Sequence, residues 1–249
     1  MRISLIQANL TWRDPGANRR HMESLLPSPG ETDLVVLPEM FSTGFDTNPE
    51  SGDDGKSLGW MRDIARKNDY AITGSIALRT EEGWRNRMYF VRPDGTADFY
   101  DKRHLFSFSG EDRRFVPGER HVEVGWKGWR ILLQVCYDLR FPVFSRNHAE
   151  NPYDLAIYVA SWPAARSDAW KALLRARAIE NQCYAAGVNR VGEDPAGRYD
   201  GDSVILDYLG APLQACTPGK EDVVTSGLDR IGLSSYREHF PALFDADKL

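Results

Sequence analysis

The chain has 249 residues, 42% hydrophobic and 11% aromatic, which supplies a large core and excludes a disordered protein. Its formal net charge of -5 argues against a nucleic-acid surface, because neutralising phosphates takes a basic patch. No Ser/Gly/Pro-rich linker or charge block divides it, so residues 1–249 read as one domain, with residues from about 230 to 249 as a C-terminal arm needing a partner surface.

Met1-Arg2-Ile3-Ser4-Leu5-Ile6-Gln7-Ala8 enters a strand directly, without the apolar segment of a signal peptide. No apolar run reaches the ~20 residues that span a bilayer, so a cytoplasmic protein without a membrane partner is expected. Gly16–Leu26 reads as a helix and Asp33–Glu39 as a buried strand stopped by Pro38, with Glu39 at its exit. The aromatic run Met40 to Phe45 suits a pocket wall, and Phe41 is assigned to it. A helix follows over Lys56–Asn68, then strands over Tyr70–Leu78, Arg85–Val91 and Thr96–Tyr100, the last two joined by the turn Arg92-Pro93-Asp94-Gly95. Directly beyond lies the charged cluster Asp101-Lys102-Arg103-His104, and residues 107–119 form a loop laid over a site.

The strand Trp129–Val135 ends at Cys136. Phe141 to Glu150 is expected to open and complete a helix with Pro142 in its first turn, so that the thiol stands at a strand-to-helix turn. Asp154–Ala160 is another buried strand ending at Ser161-Trp162-Pro163. Ser167 is expected to cap a helix over Asp168–Gln182 whose Trp170, Leu173, Leu174, Ala178 and Ile179 face the core, with Arg175, Arg177 and Glu180 exposed. Cys183–Val191 is a strand, and short antiparallel strands follow over Asp202–Leu206, Pro212–Ala215 and Asp222–Leu228. This succession implies two mixed sheets, each covered by helices on its outer side.

Cys136, Cys183 and Cys216 are few, odd in number and far apart, which fits reduced thiols. Without Cys-x-x-Cys spacing or clustered histidines, no metal site is expected. Glu39, Lys102 and Cys136 each sit at a strand or hairpin exit, and such exits converge on one edge of a layered α/β fold. A thiol nucleophile, a carboxylate base and an ammonium that steadies an oxyanion together suit amide hydrolysis.

Leu37-Pro38-Glu39-Met40-Phe41, Tyr100-Asp101-Lys102-Arg103-His104-Leu105-Phe106 and Val135-Cys136-Tyr137-Asp138-Leu139-Arg140-Phe141-Pro142, in that order, resemble the nitrilase (carbon-nitrogen hydrolase) superfamily, and its omega-amidase branch in particular. Ser161-Trp162-Pro163 and Arg175-Ala176-Arg177-Ala178-Ile179-Glu180-Asn181 are similar to its later landmarks. The resemblance implies an α/β fold of the α-β-β-α sandwich type, a homodimer, and Glu39, Lys102 and Cys136 as base, lysine and nucleophile, with no cofactor. Glu111 matches a further active-site carboxylate by position, beside Asp112. Val143 stands where many relatives carry Glu. The implied activity releases ammonia from a small ω-amide of a keto acid, with water as the second substrate. Nitrile hydrolysis, N-carbamoyl amino acid hydrolysis and a catalytically silent binding module are the alternatives. For recognition, Arg166 is the expected reader of a substrate carboxylate, with Phe41, Tyr137 and Trp162 as apolar walls. Arg140 is expected to pair with an acid such as Glu180.

Overall fold

The computed structural model describes residues 1–48 and 52–247. In chain order its elements are β1 (Arg2–Gln7), α1 (Pro15–Leu25), β2 (Leu34–Val36), α2 (Ser57–Asn68), β3 (Ala71–Thr80), β4 (Gly83–Val91) and β5 (Ala97–Asp101). The second half holds β6 (Glu123–Trp126), β7 (Trp129–Val135), β8 (Leu155–Ala160), α3 (Ser167–Glu180), β9 (Tyr184–Asn189), β10 (Val191–Asp194), β11 (Gly197–Asp200), β12 (Val204–Leu206), β13 (Pro212–Ala215), β14 (Asp222–Gly227) and α4 (Arg230–His239).

Two six-stranded mixed sheets result, with orders β14-β1-β2-β3-β4-β5 and β13-β12-β9-β8-β7-β6. β1, β2 and β3 run parallel, as do β7, β8 and β9, and the flanking pairs are antiparallel. The two-residue alternation of strands separates the layers. Ile3, Leu5, Leu34 and Val36 join the core shared with β7, β8 and β9, while Ile6, Val35 and Leu37 pack with Met22 of α1 and Met61 and Ile64 of α2. On the far side α3 lies against β9, so closely that a Cβ on Gly187 would come within 2.3 Å of Leu174. The architecture is the expected α-β-β-α sandwich.

Several expectations fail locally. No helix follows β7 directly. Cys136–Arg140 is a short 3-10 turn, and the segment after it is held by the Asn147 side chain, whose amide bonds to the carbonyls of Tyr153 and Asn181 and whose oxygen accepts from the N–H groups of His148 and Tyr153. Such side-chain bonds compete with a helix. Ser167 does not cap α3: it is the first helical residue, and its hydroxyl bonds to Asp202. Ile179 is 48% exposed, whereas Arg177 is buried, paired with Glu180 and donating to the Leu139 carbonyl at 2.5 Å. The hairpin of β10 and β11, turning at Asp194-Pro195-Ala196-Gly197, was not anticipated. The C-terminal arm supplies α4, which docks on its own chain through buried Leu233 and through Arg237, bonded to the Gln182 and Tyr153 carbonyls and to Asp154.

Candidate active site

Three chain reversals at strand exits build the site. Glu39 follows β2 and precedes Met40, whose φ of +44° turns the chain sharply; the Met40 and Phe41 N–H groups donate to the Ser75 hydroxyl and carbonyl of β3. Lys102 follows β5 and is pinned on both sides, its N–H donating to the Asn86 carbonyl and its own carbonyl accepting from Gly118. Cys136 follows β7 with φ +47°, in the left-handed region. A non-glycine residue there costs about 1–3 kcal/mol and persists only where its surroundings impose it.

These reversals bring the side chains together. Lys102 Nζ donates to Glu39 Oε1 at 2.8 Å and to Glu111 Oε2 at 2.9 Å, and all three side chains are fully buried. Glu39 Oε2 accepts from the Ser161 N–H at 2.9 Å, a bond that crosses from the first sheet to the exit of β8 in the second. Glu111 Oε2 also accepts from the Phe106 N–H at 2.7 Å, while the neighbouring Asp112 is exposed. Glu111, not Asp112, is therefore the carboxylate that faces the lysine.

Charge follows from this packing. Burial disfavours the Lys102 ammonium, but Glu111 and Glu39 outweigh it and the lysine pKa is raised. Burial pushes the Glu111 carboxyl up against the opposing pull of Lys102. Burial and then the charge of Glu39 hold the Cys136 thiol well above its ordinary range, with Lys102 acting the other way. Near neutral pH the site thus holds a neutral thiol beside an ammonium and needs a base to make a thiolate.

Cys136, 8% exposed, lies on the floor of a pocket of about 430 Å³, with Glu39, Lys102 and Glu111 behind it. Tyr137, Trp162 and Arg166 line this pocket. Phe41 does not: it is completely buried against Trp60 and the α2 side of the first sheet, because the turn at Met40 directs it inward. Phe45 takes its place in the wall, its ring 5.1 Å from Lys102 Nζ. Arg140 is also placed differently from expectation. Glu180 is taken by Arg177, and the Arg140 guanidinium lies 4.9 Å over the Trp162 ring at the pocket edge.

The carbon-nitrogen hydrolase profile matches residues 2–238 of this chain. The protein belongs to the carbon-nitrogen hydrolase family. Over 251 residues it is 49% identical to omega-amidase YafV of Yersinia enterocolitica, covering 100% of this chain and 97% of that one. It is 32% identical to the 2-oxoglutaramate amidase of Bacillus subtilis, covering 99% and 97%. A crystal structure of a CN-hydrolase superfamily protein from Xanthomonas campestris, with an arsenic adduct in its active site, superposes with a TM-score of 0.97 at 47% identity, covering 100% and 98%.

Sequence reasoning missed several groups of this carbon-nitrogen hydrolase pocket. Asn86 Nδ2 donates to both carboxylates, Glu39 Oε1 at 2.8 Å and Glu111 Oε1 at 3.1 Å, and so holds them apart from each other and against the lysine. Asparagine is disfavoured within strands, so Asn86 inside the strand-like run Arg85–Val91 was the one signal available, though nothing in that run marked it as facing inward. Phe106 and Phe108 flank the mouth, and Pro195, Ala196 and Tyr199 bring the unanticipated hairpin to the wall.

Proposed function

We propose that this carbon-nitrogen hydrolase is an omega-amidase, cleaving the terminal carboxamide of a small molecule that carries a carboxylate at its other end. One observation carries the reading: the thiol floor faces a rim where two guanidinia, Arg140 and Arg166, contact aromatic rings and, among the described residues, have no acidic partner. In an acidic protein, such arginines supply the local positive charge and planar donors that a carboxylate needs. The relatives named omega-amidase and 2-oxoglutaramate amidase agree with it.

Cys136 Sγ attacks the carboxamide carbon while Glu39 takes the thiol proton. The tetrahedral oxyanion forms beside the Lys102 ammonium, which is already charged and already placed. Collapse breaks the carbon-nitrogen bond, Glu39 returns its proton to the leaving nitrogen, and ammonia departs from a thioester. Glu39 then deprotonates water, which attacks the thioester carbonyl; the carboxylic acid leaves and the thiol is restored. Glu111 and Asn86 keep Lys102 and Glu39 in register throughout. Tyr137, Trp162 and Phe45 enclose the chain between amide and carboxylate. A cytoplasmic homodimer belongs to the same reading and is checked by sedimentation.

Ammonia release over 2-oxoglutaramate, 2-oxosuccinamate, glutamine, N-carbamoyl amino acids and simple nitriles tests it. The keto-acid amides should give the highest kcat/KM. A preference for a nitrile or an N-carbamoyl compound would overturn it.

A further inference from the structure

The buried carboxylate of Asp138 takes no part in the chemistry above, yet it accepts four hydrogen bonds beside it. It is fully buried and lies two residues beyond the nucleophile. Oδ2 accepts from the Val135 N–H at 3.0 Å and the Tyr100 hydroxyl at 2.7 Å; Oδ1 accepts from the His104 N–H at 2.9 Å and from His104 Nδ1 at 2.8 Å. A carboxylate oxygen only accepts, so Nδ1 carries the proton. Among the described residues, His104 is the only basic side chain paired with this carboxylate.

The sequence positions of these donors give the arrangement its meaning. Tyr100 and His104 bracket Lys102, and Val135 and Asp138 bracket Cys136. One buried carboxylate therefore ties the segment that delivers the lysine to the turn that delivers the thiol, and it does so around a cysteine whose left-handed backbone must be imposed from outside. The histidine ring is itself fixed, stacked on Phe141 at 3.9 Å and 10° and edge-on to Phe144.

We propose that His104 and Asp138 form a clamp that sets the placement of Cys136 against Lys102, with His104 as a positioning residue acting through its Nδ1–H. The inference rests on the amidase reading for its rate measurement, but it has a second readout that does not: the rate at which iodoacetamide labels Cys136, followed by mass spectrometry.

Two substitutions separate the hydrogen bond from the packing. His104→Asn keeps a donor near the Nδ1 position and removes the ring; His104→Phe keeps the ring stack and removes the donor. For the preferred amide of the panel, His104→Phe should lose about 10²-fold in kcat, the cost of a nucleophile displaced by about 1 Å, with KM little changed. His104→Asn should retain most of kcat, and Cys136 labelling should rank the variants in the same order. An active His104→Phe with an impaired His104→Asn would overturn the clamp in favour of simple packing, as would equal losses in both or a rise in KM matching the fall in kcat. Should His104→Phe fail to fold, His104→Asn decides alone: loss of kcat in that variant overturns the proposal. If the unmodified protein turns over no amide, the amidase reading fails, and the labelling series still tests the clamp.

Discussion

The floor and the rim of the pocket are built on opposite principles. Behind the Cys136 floor, Glu39, Lys102 and Glu111 are withdrawn from water altogether, and each charge is matched by another charge or by a backbone or amide donor. At the rim, Arg140 and Arg166 sit on short 3-10 turns and rest against rings, and Phe108 is 84% exposed. Burying charge is costly unless partners are exact in place, so the floor cannot vary without loss of fold or chemistry. The rim carries no such penalty. Its guanidinia are held by ring contacts that a ligand can supplement, which is why the proposed recognition is placed there.

The largest effect should come from breaking the floor. Cys136→Ala removes one sulfur from a packed site, so the protein should fold while turnover falls to the uncatalysed background. Substantial ammonia release by the folded variant would remove Cys136 as nucleophile. Glu39→Gln preserves shape and should lose about 10²- to 10⁴-fold in kcat. Lys102→Met strands two buried carboxylates without a cation, so stability as well as rate should fall, by about 3–5 kcal/mol in urea unfolding, as when one partner of a buried ion pair is removed. A Lys102→Met protein as stable as the parent would mean that Glu39 and Glu111 are not both charged in the fold.

The rim should respond differently, and the contrast is the sharper test. Arg166→Met removes a charged donor from the mouth and leaves the floor untouched. For a keto-acid amide, KM should rise about tenfold or more, the value of a charge-assisted bond, while a neutral short amide of similar length should show almost no change. Equal changes for both substrates would take Arg166 out of recognition and leave Arg140 as the remaining guanidinium of the rim.

This division also explains what the sequence could disclose. The floor was legible because its residues end regular strands: apolar runs such as Leu34–Val36 and Ile131–Val135 announce where the chain must turn polar, and exits of neighbouring strands meet. Asn86 escaped because its position depends on which face of β4 looks inward, and the surrounding Arg85 and Arg87 masked the alternation. The rim escaped more widely. Whether Phe41 or Phe45 forms the wall turns on one left-handed residue, Met40, that no periodicity marks. Whether Arg140 or Arg177 meets Glu180 depends on the packing of α3 against the turn Cys136–Arg140, and the helix expected after Cys136 was pre-empted by the side-chain bonds of Asn147.

The smallest effect calibrates the floor against ordinary core. Cys183 is as buried as Glu39, Lys102 and Glu111 and lies just before β9, two strands from β7, but it does not line the pocket that holds Cys136, and its Sγ lies 3.8 Å from the Arg177 carbonyl. Burial pushes its thiol from an ordinary value of 9.0 up to about 12. Between those values the unfolded chain has lost the thiol proton and the folded chain keeps it, so the folded state binds more protons and stability must fall as pH rises. This contribution is fully present below pH 9 and disappears as pH approaches 12, with a slope of about 1.4 kcal/mol per pH unit for one proton. Cys183→Ala deletes the titrating group. Its activity should match the parent, and at pH 8 it should be less stable by about 1 kcal/mol for the lost packing. Between pH 8 and pH 10 the gap between the two proteins in urea unfolding should narrow or change sign, since only the parent carries the thiol penalty. A gap constant over that range would mean that the Cys183 thiol titrates alike folded and unfolded.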